Sequence, residues 1–325
     1  MTKETNWAIL GCGKIADKFA NDVQLTEGAH LYAVASRNID NAAAFKDTHN
    51  ATIAYGSYEE MLLDPKVDIV YIATPHMFHK EQTLLCLTHK KAVLCEKAFA
   101  MNLEEVEEMI AFAKAQQTFL MEALWTHFLP HYQFVLETVH SGDLGKITNL
   151  AANFGFDAAY DVNARLYNKS LGGGSLLDVG IYPVFAALTL LGYTENMSAQ
   201  ALLGPTGVDH HCSMKLEYPN QVEANLFSAI DEKTDTTCHI TLEHGEILIN
   251  SRFHEPTNVT ITKDGASKTY DFPIPESVNG YHYEILHCQK MLESNKTESD
   301  IMTFDKSKDL IKMLDTIRKN IGLVY

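Results

Sequence analysis

Four short stretches carry residues whose types and spacing suit chemistry. The first is Gly11-Cys12-Gly13 followed by Lys14-Ile15-Ala16, a G-x-G-x-x-A spacing. Gly11 permits a tight turn, Gly13 has no Cβ to hold a pyrophosphate away, and small Ala16 lets a helix approach a strand. The main chain from Gly11 through Cys12, Gly13, Lys14 and Ile15 then offers N–H groups at a helix N-terminus, where the dipole also favours an anion. The second stretch is Ser36-Arg37, at the end of an apolar run. An acid at that point would accept from an adenosine 2′-OH and repel a 2′-phosphate. No acid stands there. Ser36 can donate a hydrogen bond and Arg37 brings a guanidinium, which favours NADP(H), with NAD(H) as the alternative. The third and fourth stretches are Thr74-Pro75-His76-Met77-Phe78-His79 and Glu96-Lys97-Ala98, each directly after an apolar run. A lysine in such surroundings is costly unless it has a partner or a task.

These residues need elements to position them. Apolar runs at 7–10, 30–35, 51–54, 67–73, 92–95 and 118–123 read as strands. Helical patterns alternate with them: one from Lys14, one over 41–49, one after Ser57 with Glu60 completing a capping box, one from His79 to about 89, and one over 103–116. This alternation predicts an α/β domain of the Rossmann type, a doubly wound parallel sheet. The carboxyl ends of such strands face the ligand crevice, which would bring Thr74, Pro75, His76, His79, Glu96 and Lys97 beside the cofactor.

The pattern changes after residue 146. Eight candidate strands, 147–156, 198–203, 211–217, 222–228, 236–242, 245–250, 258–262 and 268–272, imply an α+β domain with a large, mostly antiparallel open sheet. The boundary is expected near residue 123, with 1–122 as the nucleotide domain and 123–325 as the substrate and dimerisation domain. A helix over 131–141, closed by Gly142, would link them, and helices at 280–292 and 304–321 would follow the sheet. One helix interrupts the strands, starting at Gly172-Gly173-Gly174 and running through Asp178 and Tyr182, four residues apart and so on one face. Trp125, Phe154 and Phe156 suit the wall of a substrate cavity, and Arg165 a polar contact in it. A broad sheet with one helical face leaves the other needing cover, so a homodimer through that sheet is expected.

Bulk properties narrow the functional classes. The 325 residues carry 42 acids against 26 bases, a net charge of −16 that argues against nucleic acid as a partner. The apolar runs read as too short for a bilayer, and residues 1–5 lack the apolar segment of a signal peptide, so no membrane partner and a cytoplasmic location are expected. Six cysteines without a C-x-x-C pair read as buried, reduced thiols. The fifteen histidines show no metal-ligand spacing, and no metal is expected.

Taken together, the opening G-x-G-x-x-A, ATPHMFH at 73–79 and CEKAFAMN at 95–102 resemble the glucose–fructose oxidoreductase / inositol dehydrogenase / rhizopine-catabolism (Gfo/Idh/MocA) family. The stretch EALWTHFLP at 122–130 is similar to the subgroup holding dimeric dihydrodiol dehydrogenase and NADP-dependent D-xylose dehydrogenases. GGGSLLDVGIYP at 172–183 resembles the family's substrate-side motif, D-x-G-x-H/Y. The resemblance implies a catalytic, cofactor-orienting Lys97, an acid–base Tyr182, a substrate-binding Asp178, a homodimer, and a sugar-like or cyclic-diol substrate. A phenol, with a reference pKa of about 10, is a poor base at neutral pH, and an ammonium such as Lys97 would favour its anion. Two positions depart from the family pattern: His76 replaces the usual asparagine and Ala98 the usual proline. The rival reading is a non-catalytic NAD(P)-sensing regulator, which would have less need to keep both Lys97 and Tyr182.

Overall fold

The computed structural model describes residues 4–325. Six strands form a wholly parallel sheet: β1 (Thr5–Leu10), β2 (Ala29–Ala35), β3 (Ile53–Tyr55), β4 (Ile69–Ile72), β5 (Ala92–Glu96) and β6 (Leu120–Ala123), in the order β3-β2-β1-β4-β5-β6. Helices connect successive strands, so strand interiors are covered: Trp7, Ala8, Ile9 and Leu10 of β1 are fully buried, as a continuous apolar run requires. The order reverses at β1 and β4, whose ends are in register at Leu10 and Ile72. That is the switch point at which such sheets bind ligands.

A second sheet of eight strands holds β7 (Ile147–Gly155), β8 (Met197–Leu203), β9 (Asp209–Tyr218), β10 (Val222–Ala229), β11 (Cys238–Leu242), β12 (Gly245–Ile249), β13 (Val259–Lys263) and β14 (Ala266–Tyr270). Its order is β14-β13-β12-β11-β7-β10-β9-β8. Every pairing is antiparallel except β7 with β10. Along β10, buried Ala224, Leu226 and Ser228 alternate with Glu223, Asn225 and Phe227, the period of two that separates a core face from an outer one. The core face is closed by the helix Ile181–Leu191, buried from Ile181 to Leu188.

The chain folds as two compact units, neither continuous in sequence. The first contains the parallel sheet and takes back residues 274–307; the second contains 129–273 and 308–325. A single cut near residue 123 would instead leave 274–307 with the second sheet. The return has a physical anchor inside the first unit. Asp22, fully buried on the helix Lys14–Leu25, accepts the main-chain N–H groups of Asn279, Gly280, Tyr281 and His282 at the start of the helix His282–Glu293. These are orphan donors of a helix N-terminus, and a buried carboxylate satisfies them together.

Two expectations need correction. The Gly-rich stretch does not begin an ordinary helix: Gly172 closes a 3₁₀ turn (Lys169–Leu171), and Leu176–Gly180 is a single π-helical turn leading into Ile181–Leu191. Pro183 explains the wider turn, since it lacks an N–H and its ring crowds the carbonyl four residues back. The four-residue spacing of Asp178 and Tyr182 is therefore not that of an α-helical face. In addition, the helical run Lys169–Leu191 is long and apolar enough to cross a bilayer by length and composition, contrary to the reading of short apolar runs. It is mostly buried, as a core helix is, with Leu176, Leu177, Ile181 and Val184 wholly covered within its own unit.

Candidate active site

In the first unit the dinucleotide turn can be built from its glycines. Gly11 has φ +98°, and a Cβ there would meet Thr74 Cγ2 at 2.9 Å and the Ala73 carbonyl oxygen at 3.1 Å. Only glycine fits that turn. Gly13 differs: a Cβ on it would meet no protein atom within 4 Å. Protein packing therefore does not require glycine there, whereas close approach by a ligand does. Gly13 also caps the helix Lys14–Leu25 without a side-chain hydrogen bond, leaving first-turn N–H groups aimed outward. The open cradle and uncapped helix end fit a dinucleotide pyrophosphate held by Gly11, Cys12, Gly13, Lys14 and Ile15. Burial, with Asp17 adding to it, pushes the Cys12 thiol up to about 11, so it stays neutral.

At the end of β2, Ser36 Oγ accepts the Asn38 N–H at 3.3 Å, and exposed Arg37 lies 5.8 Å over the ring of Phe78. Tyr58, itself raised by burial, senses the Arg37 charge. A guanidinium over an aromatic ring suits an adenine ribose carrying a phosphate. Phe78 and Tyr58 were not singled out from the sequence, and only the position of Phe78 inside ATPHMFH hinted at a role.

The β4 end is organised inward. Thr74 donates its hydroxyl to Gln82 Oε1 at 2.6 Å, and Pro75 opens the 3₁₀ turn His76–Phe78. His76 is buried, with its ring 5.7 Å from that of His79. His79 is wholly buried, with Nε2 2.8 Å from the Thr74 carbonyl oxygen and Nδ1 2.8 Å from that of Ala98. Burial lowers its pKa, and Lys97 adds to that. Both ring nitrogens of His79 are thus engaged by main-chain carbonyls. At the β5 end, Glu96 accepts the Tyr71 hydroxyl and, at 3.1 Å, the Lys97 N–H. Lys97 is partly exposed, and its peptide bond to Ala98 is cis. Trp125, expected as a wall residue, is 5 % exposed and stacks on Tyr281 at 4.4 Å within the first unit.

The second unit surrounds Tyr182. Gly174 (φ +112°) leaves room for Asp209 Oδ1, which lies 2.1 Å from where a Cβ would stand. Buried Asp209 then takes the Ser175 hydroxyl and the Leu176 N–H, both at 2.7 Å, fixing the start of the π-helical turn. Burial raises Asp209 to about 6 against those hydrogen bonds. At Gly180 a Cβ would meet Ser228 Oγ at 2.9 Å, so the turn sits directly on β10. Asp178 receives an Arg165 Nη2 hydrogen bond at 2.7 Å, which joins two residues read separately from the sequence. Tyr182 is 7 % exposed, with its ring 5.7 Å from Phe154 and 4.8 Å from His254. Phe154 and His254 stack at 4.1 Å, and Phe156 lies 6.3 Å from Phe154. Arg252 senses Tyr182 electrostatically and holds Glu255 through two hydrogen bonds, at 2.6 and 2.5 Å. Although burial opposes it, hydrogen bonds from Arg252 and His254 keep the Glu255 carboxyl well below the usual range. Arg252, His254 and Glu255 were invisible in sequence because His254 and Arg252, which holds Glu255, act on Tyr182 from a turn some 70 residues away.

A parallel sheet with an open dinucleotide turn, and a second sheet presenting a buried tyrosine among ion pairs, define a dinucleotide-dependent oxidoreductase class. Residues 5–124 match an oxidoreductase family with an NAD-binding Rossmann fold, and residues 132–248 match that family's C-terminal domain. The chain is 35% identical over 331 residues to trans-1,2-dihydrobenzene-1,2-diol dehydrogenase of Mus musculus, covering 98% of this chain and 97% of that one. It is 34% identical over 328 residues to the NADP(+)-dependent scyllo-inositol 2-dehydrogenase IolU of Bacillus subtilis, covering 98% of each. KijD10, a 3-ketoreductase from Actinomadura kijaniata solved with NADP and TDP-benzene, shares the fold, with a TM-score of 0.89 at 22% identity over 98% of both chains. The chain belongs to the Gfo/Idh/MocA family of oxidoreductases.

Proposed function

We propose that the protein is an NADP(H)-dependent dehydrogenase or reductase of a secondary alcohol or carbonyl on a sugar-like or cyclic-diol substrate. The observation that carries the reading is the Lys97 turn, held at a strand end of the dinucleotide sheet, in a chain that also keeps Tyr182. NADP(H), when bound, supplies or accepts the hydride. Gly11 to Ile15 would hold its pyrophosphate, and Ser36 and Arg37 its 2′-phosphate. Tyr182 Oη takes the carbinol proton in oxidation and returns it to the nascent alkoxide in reduction. An ammonium such as that of Lys97 would favour the phenolate over the phenol, as the family resemblance implies, and Asp178, steadied by Arg165, accepts a hydrogen bond from a neighbouring substrate hydroxyl.

The relatives act on a dihydrodiol and on scyllo-inositol, by their names, which supports a ring bearing adjacent hydroxyls. The outer face of the second sheet carries a shallow depression lined by Ala151, Asn153, Gln200, Ser213, Asn225 and Phe227. Its mixed, half-covered surface supports a homodimer through that face.

The test is a panel of D-xylose, scyllo-inositol, myo-inositol, trans-1,2-dihydrobenzene-1,2-diol and a dicarbonyl, followed by nicotinamide absorbance with NADP(H) and NAD(H). Turnover of at least one, preferring NADP(H) and abolished by Tyr182→Phe, is expected. Turnover that survives in Tyr182→Phe would refute the acid–base assignment.

A further inference from the structure

We propose that Glu122, with His79, is a positioning residue that fixes the main chain carrying Lys97; the proposal rests on the role given to Lys97 above. Ala98, Phe99 and Ala100 are at most 1 % exposed, so their polar main-chain groups cannot turn to water. Side chains from three elements hold this turn, with the Cys95 thiol also on the Phe99 carbonyl oxygen. Glu96 Oε2, at the end of β5, accepts the Lys97 N–H at 3.1 Å. His79, opening the helix His79–Thr88, faces the Ala98 carbonyl oxygen at 2.8 Å. Glu122, on β6, accepts the Phe99 N–H at 3.1 Å.

Glu122 is the informative one. It is 2 % exposed within the run Leu120-Met121-Glu122-Ala123, where strand packing alone would favour an apolar residue. A buried carboxylate there costs stability, so its use lies in what it holds. The groups that act on it are Glu96, Lys97, the Phe99 N–H and Ser307 of the helix Phe304–Asn320, all within the first unit. Burial lifts it to about 7; Glu96 adds to this, while Ser307, the Phe99 N–H and Lys97 oppose it. Ionised Glu122 makes a charge-assisted hydrogen bond to Phe99, and protonated Glu122 makes a weaker one. Below neutral pH the Lys97 turn is consequently held less firmly, and turnover falls with the position of the ammonium rather than with its charge.

Glu122→Gln and Glu122→Ala in the full chain test this, assayed with NADP+ and scyllo-inositol or D-xylose. Glutamine keeps an acceptor that does not titrate. E122Q should hold kcat within about threefold of wild type at pH 8 and lose the fall in kcat between about pH 8 and 6. E122A should lower kcat about tenfold or more at every pH, with NADPH binding by fluorescence changed by less than about threefold. Hydrogen exchange in peptides covering residues 97–100 should quicken in E122A and not in E122Q, a readout independent of turnover. Unchanged exchange in E122A, or a wild-type acid limb in E122Q, overturns the proposal. Lys97→Met run beside them separates the two readings. If it is inactive while E122A turns over normally, only the positioning role fails; if it is fully active, the role of Lys97 itself fails.

Discussion

The two units hold their candidate catalytic groups in opposite ways. In the first, Lys97 is placed through its main chain: Glu96 holds the peptide before it, and His79 and Glu122 hold the two ends of the Ala98–Phe99 peptide after it. In the second, Tyr182 is placed through its ring, packed against the stacked pair Phe154 and His254. A grip on the peptide fixes where a flexible lysine stem begins. Packing of the ring fixes the phenol itself, which suits a group that must exchange a proton at one point.

The comparison can be broken by substitution, from the largest expected effect downward. Lys97→Met and Tyr182→Phe should each lower kcat by about 10²–10⁴-fold while NADPH still changes protein fluorescence. Loss of NADPH binding in both would show that they serve binding instead. Gly11→Ala should cost about 1–3 kcal/mol of stability, because alanine there needs a positive φ and crowds Thr74. Gly13→Ala should leave Tm unchanged yet weaken NADPH by about tenfold or more, since its Cβ meets only the ligand. A matching fall in Tm for both would end the distinction between a turn glycine and an approach glycine. Arg252→Met should move the basic side of the kcat/KM profile for reduction, in which Tyr182 is the acid, slightly upward, the small size reflecting an exposed guanidinium.

The smallest effect concerns pH and stability. The Glu122 carboxyl has its folded value near 7, above its ordinary 4.5. Between those values the folded state binds more protons than the unfolded one, so stability from this group falls as pH rises from 4.5 to 7. The Tm advantage of E122Q over wild type should therefore be larger at pH 8 than at pH 5, as calorimetry can check. An equal difference at both would show that Glu122 does not titrate in that window.

Sequence reading located every strand of both sheets, with ends displaced by a few residues, because buried runs and alternating runs each leave a period in the chain. Gly11, Gly13 and Lys97 were legible for the same local reason: turn chemistry and strand ends are properties of adjacent residues. The contacts that hold His79 and Trp125 were not legible because their partners, Ala98 and Tyr281, are distant in sequence. The π-helical turn was missed although Pro183, its signal, stands in plain view. Arg252, His254 and Glu255 had no local mark at all.

Asp22 carries a consequence for how the protein is made. It binds main-chain groups 257 to 260 positions ahead of it, so the first unit stays unfinished until residue 282 has been synthesised. At about 5–20 residues per second, the helix Lys14–Leu25 waits on the order of ten seconds or more with that carboxylate lacking its native partners. A nucleotide domain cut out at residue 122 would keep this vacancy permanently. Transplanting the parallel sheet as a module would require the return segment 274–307 to satisfy Asp22.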